Sequence, residues 1–136
     1  MRMLKSKIFR YICLPIIVVI IGLGGYYLYQ FHRYKSDVER IRVMNVDLNT
    51  IGDGEYIGDC DVFFVTAKVR VVVKDGKITE LELIKHHNDR GSSANVIPER
   101  IITEQQIDVD AVTGATNSSK VIQEATYNAL TGKRTI

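Results

Sequence analysis

From Tyr11 to Tyr29 the chain runs YICLPIIVVIIGLGGYYLY, 19 residues without a charge. As a helix this run is about 28 Å long, close to the thickness of a bilayer's hydrocarbon core. It therefore constrains the chain before any other feature: it belongs in lipid or is removed. A cleaved signal peptide needs a shorter apolar core and a small-residue site of the A-x-A type. Gly22, Gly24 and Gly25 are small, but no such site follows, and Tyr26, Tyr27 and Tyr29 fill the place where cleavage would fall. Cys13 lies inside the run, too early for a lipoprotein cysteine. The expectation is an uncut anchor over residues 11–31 after a basic segment 1–10. Arg2, Lys5, Lys7 and Arg10 precede the run and no acidic residue occurs before Asp37, which predicts a cytoplasmic N-terminus and an external C-terminal part. The tyrosines suit the outer interface.

Charge divides along the chain in the same way. Residues 1–35 hold six Lys/Arg and no Asp/Glu, whereas residues 36–136 hold the other twelve and all sixteen acidic residues, a net of −4. An acidic external part lacks the electrostatic footprint that nucleic-acid binding requires, so that class is excluded. Cys60 is the one cysteine beyond the apolar run, so no intrachain disulfide is available there and the core must hold by packing. Cys60 itself reads as a half-buried strand residue.

Residues 32–45, HRYKSDVERIRVMN, read as a helical stalk, and a domain is expected over 46–136. Gly52, Gly54 and Gly58 punctuate a region with a short candidate strand at residues 55–58. In VFFVTAKVRVVVK, Phe63, Val65, Ala67, Val69, Val71 and Val73 recur at every second position, and Thr66, Lys68, Arg70 and Lys74 occupy the alternate face. That period means a strand with one face on a core and one in water. Asp75-Gly76 predicts a two-residue hairpin turn into KITELELIK, where Leu81 and Leu83 alternate with Glu80 and Glu82.

After His87 the period becomes helical. Ile97, Ile101, Ile102 and Gln105 share one face, with Ser92 and Ser93 as available caps and Pro98 tolerable only in a first turn. In a later helix Val121, Ile122, Ala125, Ala129 and Leu130 form the apolar stripe, and Gly132 reads as its stop. Strands first and helices afterwards imply an α+β fold: a small antiparallel sheet with a β-hairpin packed against two or three helices, preceded by one transmembrane helix.

Between the two helices stands DAVTGATNSSK, from Asp110 to Lys120. Hydroxyls at Thr113, Thr116, Ser118 and Ser119 surround a Gly-Ala pair just ahead of a helix, where backbone N–H groups and the helix dipole favour a phosphate. Asn117 or Ser118 is expected to cap the helix. Taken by itself the stretch reads as an ordinary capped loop, since hydroxyl-rich loops before helices are common.

The pattern D-x-x-[ST]-G-A-T followed by [ST] residues resembles the flavinylation motif of the FMN-binding domain family, which includes the C-like and G-like flavin subunits of ion-pumping quinone and ferredoxin oxidoreductases. Asp110, Thr113, Gly114, Ala115 and Thr116 match it position by position. The likeness runs from DGEYIGD through the KDGKI hairpin to the last helix. It implies FMN joined to Thr116 by a phosphoester, made from FAD by a magnesium-dependent flavin transferase. Asp110 and Thr113 would then position the transferase, Gly114 and Ala115 would leave room for the phosphate, and Ser118 and Ser119 would complete the site. Where several relatives carry a T-P-G-L-G-like stretch, this chain has HHNDRGSSAN. Gly91 is kept, Arg90 stands near the proline position and Ser93 replaces the second glycine.

Arg90 is a candidate for the phosphate oxygens and His86 and His87 for the flavin edge. Their bland alternatives are a solvated arginine and a strand-end histidine pair. Adjacent strand residues face opposite ways, so the two histidines are not expected to share a metal.

The function implied is a membrane-anchored external flavoprotein that relays electrons from a membrane dehydrogenase or quinol to an external acceptor or reductase. With no second domain for a substrate, a carrier is expected rather than a complete enzyme. The alternatives are a subunit of a larger membrane redox complex and an anchored binding module without flavin.

Overall fold

The structure, a computed structural model, describes residues 2–87 and 92–133. The chain divides into two compact units, Met1–Lys35 and Ser36–Ile136. Helix α1, Arg2–Arg40, contains the apolar run. From Tyr11 it has a mean hydropathy of 2.1, and none of that window is buried within the protein. The chain thus has one helix long and apolar enough to cross a membrane. Its isoleucines, valines and tyrosines from Tyr11 to Tyr29 are largely exposed.

The second unit is α+β. Its sheet has three antiparallel strands in the order β1-β2-β3, with β1 at Gly54–Val62, β2 at Val65–Lys74 and β3 at Lys77–His87. The short strand expected at residues 55–58 is thus nine residues long. Register explains which face is wet. Gly58 pairs with Val69, Cys60 with Ala67 and Val62 with Val65, and all six are buried. One residue out of phase, Asp59 faces Lys68 and Ile57 faces Arg70 on the outer side. There Arg70 donates to Glu82 Oε2 at 2.6 Å, with Glu55 at 3.6 Å. These pairs are exposed and contribute little to stability, but they fix the register against a slip that would turn the valines outward.

Phe63 departs from the alternation. It stands between the strands at φ 32 and is 58% exposed. The Val62–Val65 pair leaves only Phe63 and Phe64 to make the turn, so the chain reverses two residues later than the inward-facing pattern implied. The second reversal, Asp75-Gly76, takes φ 50 and φ 69, the positive values that a primed two-residue turn requires.

Helix α2, Ile97–Glu104, has Pro98 in its first turn and buries Ile97 and Ile101, whereas Ile102 is half-buried. Its N-cap is Val96, preceded by a 3-10 turn at Ser92–Val96, so neither Ser92 nor Ser93 caps it. Gln105 ends the helix at φ 54 and its amide accepts from Ile78 N and donates to Ile78 O, both at 2.8 Å. That side chain pairs with β3 as another strand would. Helix α3, Thr116–Thr131, packs on β1 and β2 and stops at Gly132 with φ 65. Its apolar stripe, Val121, Ile122, Ala125, Ala129 and Leu130, meets the valines of β2 to form the core.

The tightest contact is between α3 and Gly58. A Cβ built there would fall on the Ala125 carbonyl oxygen and the Ala129 backbone nitrogen. Backbone rather than a flexible side chain stands in the way, so the helix cannot yield locally. Gly58→Ala is expected to cost roughly 3 kcal/mol through this overpacking. Thermal unfolding should show the midpoint lowered by more than about 10 °C.

Candidate functional site

The segment between α2 and α3 is pinned along its length before it reaches the motif. Asn45 Oδ1 accepts from Ile107 N and Asp108 N, each at 2.9 Å. Ile107 and Val109 are buried, and the Gln123 amide donates to the Val109 carbonyl. Arg100 Nη1 donates to the Asp110 carbonyl at 2.6 Å. Asp110 is therefore held by its backbone, and its side chain is exposed.

The motif itself is a tight turn feeding a helix. Ala115 N donates to Val112 O at 2.9 Å, and Gly114 lies at φ 82. An i to i+3 bond with positive φ at the third residue is the type II pattern, which calls for glycine at that place. A Cβ on Gly114 would meet nothing within 4 Å, so the outer side of the turn is open. Ser119 locks the turn to the helix: its Oγ accepts from Val112 N at 3.1 Å and donates to Ala115 O at 2.9 Å.

Thr116 is the first residue of α3 and is exposed. The N-cap is Ala115, with no side-chain capping bond, so the cap expected at Asn117 or Ser118 is not the one formed. Helix geometry gives the N–H groups of the first turn no acceptor within the helix itself. The four hydroxyls of the motif divide in two. Thr113 and Thr116 are exposed, whereas Ser118 and Ser119 are 3% and 0% exposed and serve the interior. Ala115 is likewise buried. The exposed Thr116 and the open glycine turn leave room for a group at this end of the helix.

The histidines part as adjacent strand residues must. His86 pairs with Ala67 on the helix-covered face, and its Nδ1 meets Asn95 Oδ1 at 2.8 Å. His87 pairs with Thr66 and is exposed. Arg90 and Gly91 lie outside the described residues. Among the described residues no three His, Cys, Asp or Glu side chains converge on a metal position. Cys60 is fully buried rather than half-buried, at 2% exposure. Burial, followed by the charges of Glu124, Asp61 and Asp59, pushes its thiol up to about 12. Sequence reasoning missed Arg100, Gln123 and Asn45, whose polar side chains hold the loop by its backbone and leave no pattern in the sequence.

Residues 65–131 match the FMN-binding domain. The matched segment begins with β2 and ends with α3, and so encloses both the histidines and the whole motif. The solved structure of the CPE2226 protein from Clostridium perfringens is 26% identical, covering 62% of this chain and 93% of its own, with a TM-score of 0.46. No curated protein matches the chain.

Two outcomes follow from the geometry. Ser119→Ala removes the acceptor of a part-buried N–H and should lower stability by about 1–2 kcal/mol in denaturant titration. Hydrogen exchange at Val112 should speed up with it. In a Cys13→Ser background, Cys60 should resist alkylation at pH 8 in the folded protein and react once it is unfolded, because only the thiolate attacks.

Proposed function

We propose that this chain is an anchored electron carrier whose FMN is joined through its phosphate to Thr116 Oγ. The observation that carries the reading is the exposed Thr116 at the start of α3, inside the segment that matches the FMN-binding domain. The open turn at Gly114 and the place of Thr116 at the positive end of the α3 dipole support it, since a phosphodiester keeps one negative charge that the dipole favours.

The attachment is a group transfer from FAD. The Thr116 oxygen bonds to the phosphorus that bears the riboflavin, the anhydride bond of FAD breaks, AMP leaves and the hydroxyl proton is released. Among the described residues no hydrogen bond joins a base to Thr116, and on this reading a flavin transferase and its metal activate the hydroxyl. Thr113 and the Asp110 carboxylate, both exposed beside the acceptor, are the surface such an enzyme would grip.

FMN supplies one- or two-electron redox chemistry, and the protein supplies its position. The basic segment before the apolar run favours a cytoplasmic N-terminus, which puts residues 46–136 on the external side. A membrane dehydrogenase or quinol is then the donor, and an external acceptor or soluble reductase takes the electrons. A tether suits that location, because a cofactor lost outside the cell is not recovered.

Intact mass spectrometry of the chain coexpressed with a flavin transferase tests the reading. The wild type should gain the mass of FMN less water and stay yellow after denaturation. Thr116→Ala should gain nothing, and Thr116→Ser should retain the addition. A wild type of unaltered mass beside a loaded control substrate of the same transferase would sink the proposal.

A further inference from the structure

The two hairpin turns of the sheet are built from opposite materials. Asp75-Gly76 is the cheap solution, in residues that accept positive φ. The β1–β2 turn is made instead from Phe63 and Phe64, with Phe63 at φ 32. An aromatic residue at such an angle is sterically disfavoured, and Asn or Gly would relieve it. The core gains nothing in return, for Phe63 is 58% exposed. Its ring meets Phe64 edge to face, with centroids 4.7 Å apart and planes at 88°. A strained, exposed aromatic points to a use outside the fold.

The topology brings this turn to the same end of the sheet as Thr116. Helix α3 runs opposite to β1. Ala129 lies on Gly58, the Asn128 amide donates to the Asp59 carbonyl at 3.0 Å, and Glu124 stands near enough to Cys60 for its charge to add to the burial that raises the thiol. From Glu124 back to Thr116 the helix advances about 12 Å. From Cys60 to Phe63 the strand advances about 10 Å in the same direction. His86, two residues beyond Ile84 on β3 and opposite Ala67, lies at that end as well, with Asn95 beside it.

We propose that Phe63 covers one face of the isoalloxazine ring of an FMN carried by Thr116, holding the ring at this end of the sheet. The inference rests on the acceptor role proposed for Thr116. The occupant is argued from the chain itself: a flat, largely apolar ring on a ribityl arm, tethered at the end where a flat apolar side chain is displayed against its own backbone preference. Offset or edge contact between aromatic rings supplies the attraction.

The test uses the full chain, flavinylated by coexpression and held in detergent micelles. Intact mass is read first, then iodide quenching and anisotropy of the flavin fluorescence, for the wild type, Phe63→Asn and Phe63→Tyr. Phe63→Asn should raise the quenching constant about twofold or more and lower the anisotropy, while Phe63→Tyr, which keeps the ring, should match the wild type. Because Asn accepts positive φ, the unfolding midpoint of Phe63→Asn should equal or exceed that of the wild type, so exposure of the flavin would not reflect unfolding. A loaded Phe63→Asn protein with wild-type quenching and anisotropy would overturn this inference and leave the acceptor role of Thr116 standing. The same optical result with a lower tendency to self-associate would make the turn a contact between copies instead. A wild type without added mass would overturn both.

Discussion

The backbone-to-backbone approach of α3 and β1 at Gly58 is the constraint on which the second unit depends. Two main chains can come this close only where one residue has no side chain, and Gly58 presents its bare Cα to Ala125 and Ala129. Small residues on the helix and the absent Cβ on the strand lower α3 onto the sheet, so that most of its length is buried. Everything at the helix's N-terminus inherits its position from that contact. Thr116 is placed by a rigid rod seated on the sheet and not by a loop free to drift.

A helix this deeply buried must account for its polar side chains, since an unsatisfied one costs about 1–3 kcal/mol. Ser119 serves the motif turn and Gln123 the Val109 carbonyl. Asn128 reaches the Asp59 carbonyl, and the Thr126 hydroxyl donates back to Ile122 O at 2.9 Å. Three of these four side chains, those of Ser119, Gln123 and Asn128, reach the backbone outside the helix, on neighbours of irregular or edge geometry. They do the work that a longer sheet or another helix would do elsewhere. Glu124 is the exception: its Oε2 is buried and has no hydrogen-bond partner. Its neighbour on the helix, Ala125, packs on Gly58 of β1.

This division explains what could be read from the sequence. The alternation in β2 was visible because one face is wet, and the Asp75-Gly76 turn because its residue types are forced by positive φ. The α+β class followed from those two and from the α3 stripe. The Phe63-Phe64 turn was not visible, because phenylalanine in alternation with valine carries the signature of a strand and none of a turn. Ser118 and Ser119 were read with Thr113 and Thr116 as one hydroxyl cluster, yet a helix turns about 100° per residue and rotates the serines inward. Gln123 and Asn45 carry no signal in the sequence, since only the tertiary fold brings a backbone group within their reach. In the motif itself, the glycine was legible as a need for room, but the structure adds a second need, the positive φ of the turn.

The same geometry bears on why an ester should be used at all. Small-molecule sites that retain a ligand by contact alone enclose most of its surface. An acceptor that another enzyme must reach cannot be enclosed in that way, and Thr116 with the open side of Gly114 is correspondingly exposed. On the proposed reading these demands conflict, and a covalent bond resolves them: retention no longer depends on burial, and the site stays open to the transferase first and to redox partners later. What the bond cannot do is orient the ring, because a phosphoester at the end of a flexible arm leaves it free to swing. Orientation must then come from side chains displayed at that end of the sheet. On that reading Phe63 supplies it, held in a turn that its residue type does not favour.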